Sequence, residues 1–188
     1  MSKIVYKMFK VSKRQKGKIF PLYVYSNEPT EIGVWLDAKE GPKLENGKVK
    51  SKLGPLAFRP GWHMSDLPYA THIGVKGKSG KIEYMNDNVV WCACEYSDNI
   101  NYQEEANKAG ISDNGKFIER DAYLKKIPTD GYYRYRTNPN MFRDWIIAGK
   151  IKVIKVLSDE EVNEILKENK ITPMPRKNGP INLNDFGF

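Results

Sequence analysis

Apolar and polar positions alternate along several short stretches, and this alternation predicts strands. Residues 5–11, Val-Tyr-Lys-Met-Phe-Lys-Val, are rich in strand formers. Residues 19–25 read the same way, with Pro21 marking an edge strand or a strand start. The segment between them, 12–18, is basic, contains Gly17 and predicts a hairpin loop. A third short strand is expected over 32–36. Residues 73–75 and 81–85 flank a Gly-Lys-Ser-Gly turn at 77–80 and predict a hairpin. The strongest signal covers 89–96. Val89, Trp91, Ala93 and Glu95 share one face; Val90, Cys92, Cys94 and Tyr96 share the other. Both faces are apolar as far as Glu95, which predicts a strand at the sheet centre. Further strands are expected over 132–136, 145–147 and 151–157, the last two joined through Gly149.

Helical periodicity is scarce. A short helix is expected over 101–109, ended by Gly110, while 121–127 is ambiguous. The clearest helix is 159–169. Ser158 is a good N-cap, Glu161 three residues on completes a capping box, and Val162, Ile165 and Leu166 form one apolar stripe. Many short strands with few helices predict an α+β fold around a mostly antiparallel sheet. Residues 37–54 are polar, with Gly41, Pro42 and Gly47, and read as an exposed loop open to insertions. The expected organisation is one domain over 1–171 and an extended tail over 172–188, set off by Pro173, Pro175, Gly179 and Pro180. The tail ends in Ile181, Leu183, Phe186 and Phe188. Phe186 and Phe188 are expected to anchor in apolar pockets, either of the same domain or, as the preferred expectation, of a partner protein.

Composition narrows the class. A chain of 188 residues, 40% apolar, has room for one domain with a proper core. It contains no apolar run of about 18 residues, so no membrane span is expected. The first residues lack the apolar stretch of a signal peptide. Cys92 and Cys94 are the only cysteines, and their spacing on a strand favours reduced, buried thiols over a strained disulfide. Together these features predict a cytoplasmic protein. The formal charge is +8, from 31 basic and 23 acidic residues, concentrated in the first 52 residues and in 116–136. Such an excess suits a nucleotide or other anionic ligand, a nucleic acid or an acidic protein; a solvated basic surface is the plain alternative.

Several common signatures are missing: the P-loop, the dinucleotide Gly-x-Gly-x-x-Gly and the Gly-x-Ser-x-Gly elbow. The two histidines and two cysteines lack zinc spacing, so no metal is expected. The densest chemistry lies in Gly54-Pro55-Leu56-Ala57-Phe58-Arg59-Pro60-Gly61-Trp62-His63. A strand bearing Arg59 is expected to run into a Pro-Gly turn that presents Trp62 and His63, with Tyr69 and His72 shortly after. One reading is an anion or nucleotide pocket, with Arg59 on a phosphate and Trp62 stacked on a ring. The other is a turn pinned by Trp62, with His63 bonded to backbone. Glu95, if buried, needs Arg59 or a lysine as partner. Residues 132–136 alternate aromatic and basic side chains, which suits base stacking and phosphate binding but also an ordinary half-exposed strand.

Residues 52–63 and the run Gly131-Tyr132-Tyr133-Arg134-Tyr135-Arg136-Thr137-Asn138-Pro139-Asn140 resemble an uncharacterised family of bacteriophages and other mobile elements, over most of 6–176. That resemblance implies a protein of the host cytoplasm or the virion. At a greater distance the order of elements is similar to ADP-ribosyltransferase domains. Phe58-Arg59-Pro60-Gly61 resembles their aromatic-Arg-Gly strand, Pro68-Tyr69-Ala70-Thr71-His72 would occupy their second segment, and Asp144-Trp145-Ile146-Ile147 would match the late strand with its catalytic Glu. The likeness implies NAD as cofactor. Arg59 would bind the pyrophosphate, and Trp62 and Tyr69 would flank the nicotinamide or ribose. His63 or His72 would orient a hydroxyl, and Asp144 or Glu95 would stabilise the oxocarbenium-like centre. Pro60 interrupts the Arg-Gly pair, and Asp144 is one methylene shorter than the usual Glu, so a catalytically degenerate nucleotide binder is implied alongside an active enzyme. Two other classes are compatible with the sequence: a non-enzymatic virion, cargo or host-interaction protein, and a nucleic-acid binder using 3–18 and 132–136.

Overall fold

The structure is a computed structural model that describes residues 3–188. Among these described residues, eleven strands and two α-helices form an α+β fold, and most strand pairs are antiparallel. In chain order the strands are β1 (Val5–Val11), β2 (Ile19–Phe20), β3 (Trp35–Asp37), β4 (Trp62–Met64), β5 (Val75–Lys76), β6 (Ile82–Tyr84), β7 (Val89–Tyr96), β8 (Ile100–Asn101), β9 (Gly131–Tyr135), β10 (Trp145–Ala148) and β11 (Lys150–Val156). The helices are α1 (Gln103–Ala109) and α2 (Asp159–Glu168).

The main sheet has the order β2-β1-β7-β11-β3, which puts the doubly apolar strand at its centre, as the pattern predicts. A second sheet has the order β4-β10-β9-β8, with β8 parallel to β9, and β5 and β6 form the expected hairpin. Strand alternation divides the core in two. Val5 and Phe9 of β1, Val90, Cys92 and Cys94 of β7, and Ile151 and Val153 of β11 meet Met64, Ile146 and Ala148 of the second sheet. From the opposite faces, Met8 and Trp91 join Tyr133, Tyr135, Trp145 and Ile147, and α2 seals this cluster with Val162 and Leu166. The Ser158–Glu161 capping box is formed in both directions.

Five local expectations change. Residues 21–25 turn away after β2, because Pro21 cannot extend the ladder. Asn101 pairs in β8 instead of opening a helix, and its side chain accepts from the Gln103 amide at 2.9 Å. The segment around Arg59 is irregular, and the strand begins only at Trp62. The polar loop after β3 is more than an exposed insertion site: Val49 is buried, bridges to Lys43 and Leu56, and packs where Gly41 leaves no room for a side chain.

The fifth change concerns the tail, which docks on its own domain. The Met85 amide donates to the Pro175 carbonyl at 2.9 Å. The guanidinium of Arg176 is buried, where it holds Asp159 through two bonds of 2.8 and 2.9 Å. A 3-10 turn, Leu183–Phe186, then buries Phe186 in the second core cluster, and the Gly17 amide donates to the Phe186 carbonyl at 2.7 Å. Phe188 is half-buried against the same cluster. The expectation of apolar anchors is met within the chain.

Candidate ligand cavity

A cavity of about 600 Å³ opens beside β4, the edge strand of the second sheet. The inner wall is built by register. β4 pairs with β10, placing Trp62 opposite Ala148 and His63 opposite Ile147. Tyr6 and Ser65 exchange two backbone bonds of 2.8 Å, which tie β1 of the main sheet to the end of β4. Lys7, next along β1, is thereby brought against β4, and its ammonium donates to the His63 carbonyl at 3.0 Å. The outer wall comes from residues 21–31 and from the loop after β3, including Leu22, Tyr23, Tyr25, Val49 and Leu56.

Gly61 is the hinge of this arrangement. Its φ is +140°, and a Cβ there would lie 2.5 Å from Ile147 Cγ2. Only glycine lets the backbone turn from Arg59 into β4 so close to β10. Trp62 is then fixed by its indole N–H, which donates to the Leu36 carbonyl at 3.1 Å. Trp62 and His63, successive residues of this edge strand, both line the cavity.

The electrostatics follow from two cations in a partly apolar site. Arg59 stacks over the rings of Tyr135 and Tyr123, at 5.1 and 5.6 Å. Lys7 lies 5.5 and 5.6 Å from the rings of Phe9 and Trp62. Among the described residues neither has a carboxylate within 4 Å; of the three carboxylates that line the cavity, Glu28 and Asp37 are paired with Lys39 and Lys150, and Glu31 lies more than 4 Å from both cations. Burial lowers the Lys7 pKa to about 8. Burial first, and then the charges of Lys7 and Arg59, lower that of His63 to about 3. His63 is therefore a neutral imidazole at pH 7. Its Nδ1 lies 3.1 Å from the Gly61 carbonyl, which can only accept, so Nδ1 carries the proton. His72 also lines the cavity, packs edge-on against Trp145 at 5.5 Å, and has its pKa lowered by burial. Its Nδ1 is the one buried side-chain polar atom among the described residues without a hydrogen-bond partner.

Arg59, Trp62, His63 and His72 thus line one cavity, and the other three candidates from the sequence lie elsewhere. Tyr69 packs edge-on against Phe142, ring centroids 5.5 Å apart. Glu95 faces Lys152 at 3.8 Å across the β7–β11 pair. Asp144 is held by Arg136 at 3.1 Å. Of the alternating strand at 132–136, Tyr133 and Tyr135 are core residues and Arg134 grips Asp66 through bonds of 2.6 and 3.1 Å. Those groups are occupied within the fold. Lys7 escaped sequence reasoning. The available signal was a lysine between Val5 and Phe9 on what becomes the inward face of β1.

No helix is long and apolar enough to cross a membrane, and no group of three or more His, Cys, Asp or Glu is placed to hold a metal, among the described residues. Comparisons with protein-family models, with curated proteins and with solved structures returned no match.

Proposed function

We propose that this chain binds a nucleotide, or a related anion bearing an aromatic ring, in the cavity beside β4. The observation that carries the reading is that Lys7 and Arg59 face one cavity and have no carboxylate within 4 Å among the described residues. Partly buried cations without a counterion are costly, and a bound anion offsets that cost. Trp62 and the tyrosines of the outer wall offer ring surfaces beside the cations. The resemblance of residues 58–61 to the ADP-ribosyltransferase strand makes NAD the first ligand to test. Glu95 and Asp144, the carboxylates which that chemistry would require, are in ion pairs outside the cavity lining, so the reading is of binding without ADP-ribose transfer.

Calorimetric titration with NAD, ADP-ribose and AMP tests it. Binding of at least one, weakened about 10- to 100-fold by Arg59→Ala, is the expected result, from the loss of a charge-assisted phosphate contact. No heat with any of the three at millimolar concentration refutes the reading.

A further inference from the structure

We propose that the Lys7 amine is the nucleophile of this cavity and condenses with an aldehyde or ketone on an anionic ligand to form an imine. The proposal extends the anion-binding reading by naming the ligand's reactive group.

Lys7 is out of place for a structural lysine. It sits in the inward stripe of β1, between Val5 and Phe9, both of which are fully buried. Surface lysines keep their ammonium in water, or in an ion pair as Lys150 does with Asp37. The Lys7 ammonium instead lies between two aromatic rings, with the His63 carbonyl as its acceptor. Among the described residues, the groups that face it do not supply a counter-charge. Cys92 and Cys94, from β7, are thiols whose pKa burial raises, so they are neutral at pH 7. His63, from β4, is neutral, and Arg59 is a second cation. Burial therefore favours loss of the lysine proton and outweighs the opposing influence of Cys94 and Cys92, and the pKa of about 8 agrees with this geometry. The amine is also reachable, since Lys7 lines the open cavity.

An appreciable free-amine fraction near neutral pH, in a partly desolvated pocket, is what carbonyl condensation requires. The nitrogen lone pair attacks the carbonyl carbon, and the N–C bond forms as the C=O π bond opens. Both amine hydrogens leave with the oxygen as water, and the imine then takes one proton from solvent. No oxidant or reductant is involved. Arg59 binds the anionic group of the same molecule and so raises the local concentration of its carbonyl.

The test uses the full chain with two probes, pyridoxal 5′-phosphate and pyridoxal, each trapped with borohydride and located by peptide mass mapping. The expected result is one adduct per chain, on Lys7, with a labelling rate that rises through about pH 8. Lys7→Arg should abolish it, with Lys7→Met as a second folded control by far-UV circular dichroism. The phosphorylated probe should react faster, and Arg59→Ala should remove that advantage without removing the Lys7 adduct. Labelling of Lys7 no faster than of the exposed lysines, in a protein that still binds a nucleotide, overturns the proposal and leaves the binding reading intact. Equal labelling of Lys7 by both probes, unaffected by Arg59→Ala, supports the nucleophile and refutes the anion site.

Discussion

Lys7→Met should stabilise the protein at pH 7, and the gain should shrink as the pH rises. Burial lowers the Lys7 pKa from 10.5 to about 8. The gap corresponds to about 3 kcal/mol of penalty carried by the folded protein. The sign follows from proton counting. Below pH 8 the amine is protonated in both states and the full penalty applies. Between pH 8 and 10.5 the folded state has released its proton while the unfolded chain retains it, so wild-type stability rises with pH. From pH 7 to 9 the expected relative gain of wild type over Lys7→Met is about 1.3 kcal/mol. Cys92, Cys94 and Tyr133 have pKa values raised by burial and act in the opposite sense at alkaline pH, but they are common to both proteins and cancel. Methionine has a similar length and no charge to desolvate, so at pH 7 the variant should be more stable by about 1–3 kcal/mol, less whatever the freed His63 carbonyl costs. Urea unfolding of both proteins at pH 7, 8 and 9 measures the difference. Parallel pH profiles would show that Lys7 is not held as a depressed, desolvated amine, and the nucleophile proposal would lose its support.

Three further outcomes are expected. His63, lowered to about 3 from 6.5, should make the protein acid-sensitive, because below pH 6.5 the unfolded chain binds a proton that the folded chain refuses. Its share of the loss is about 2 kcal/mol between pH 7 and 5, absent in His63→Asn, read as urea midpoints. Gly61→Ala should lower stability by several kcal/mol and weaken any ligand, since its Cβ would collide with Ile147 at a backbone angle that L-residues rarely adopt; thermal melts and calorimetry check both effects. Phe186→Ala should lower the melting temperature by about 10 °C, as expected for a large side chain removed from a core, with no change in oligomeric state by size exclusion. An unchanged melting temperature would mean that the tail does not rest on its own domain.

The sequence by itself determined the elements whose signals are local. The capping box sets the start of α2, because both of its hydrogen bonds lie within four residues. The doubly apolar run at 89–96 marks the central strand, because a strand apolar on both faces must be covered on both. Half of the cavity was legible for the same reason: Arg59, Trp62 and His63 are adjacent in the chain and meet around Gly61. Tertiary structure alone decided the rest. Whether a carboxylate serves a site depends on which cation lies across the sheet. Register gave Glu95 to Lys152, and the turn after β9 gave Asp144 to Arg136. The apolar end of the tail says that it must dock but not where, and the bond of the buried Arg176 to Asp159 directs it back onto α2 and its own core. Lys7 became visible only through the Tyr6–Ser65 bridge. Fifty-nine residues apart in sequence, these two backbones bind each other and turn a lysine in an ordinary alternating strand into a desolvated amine facing a cavity.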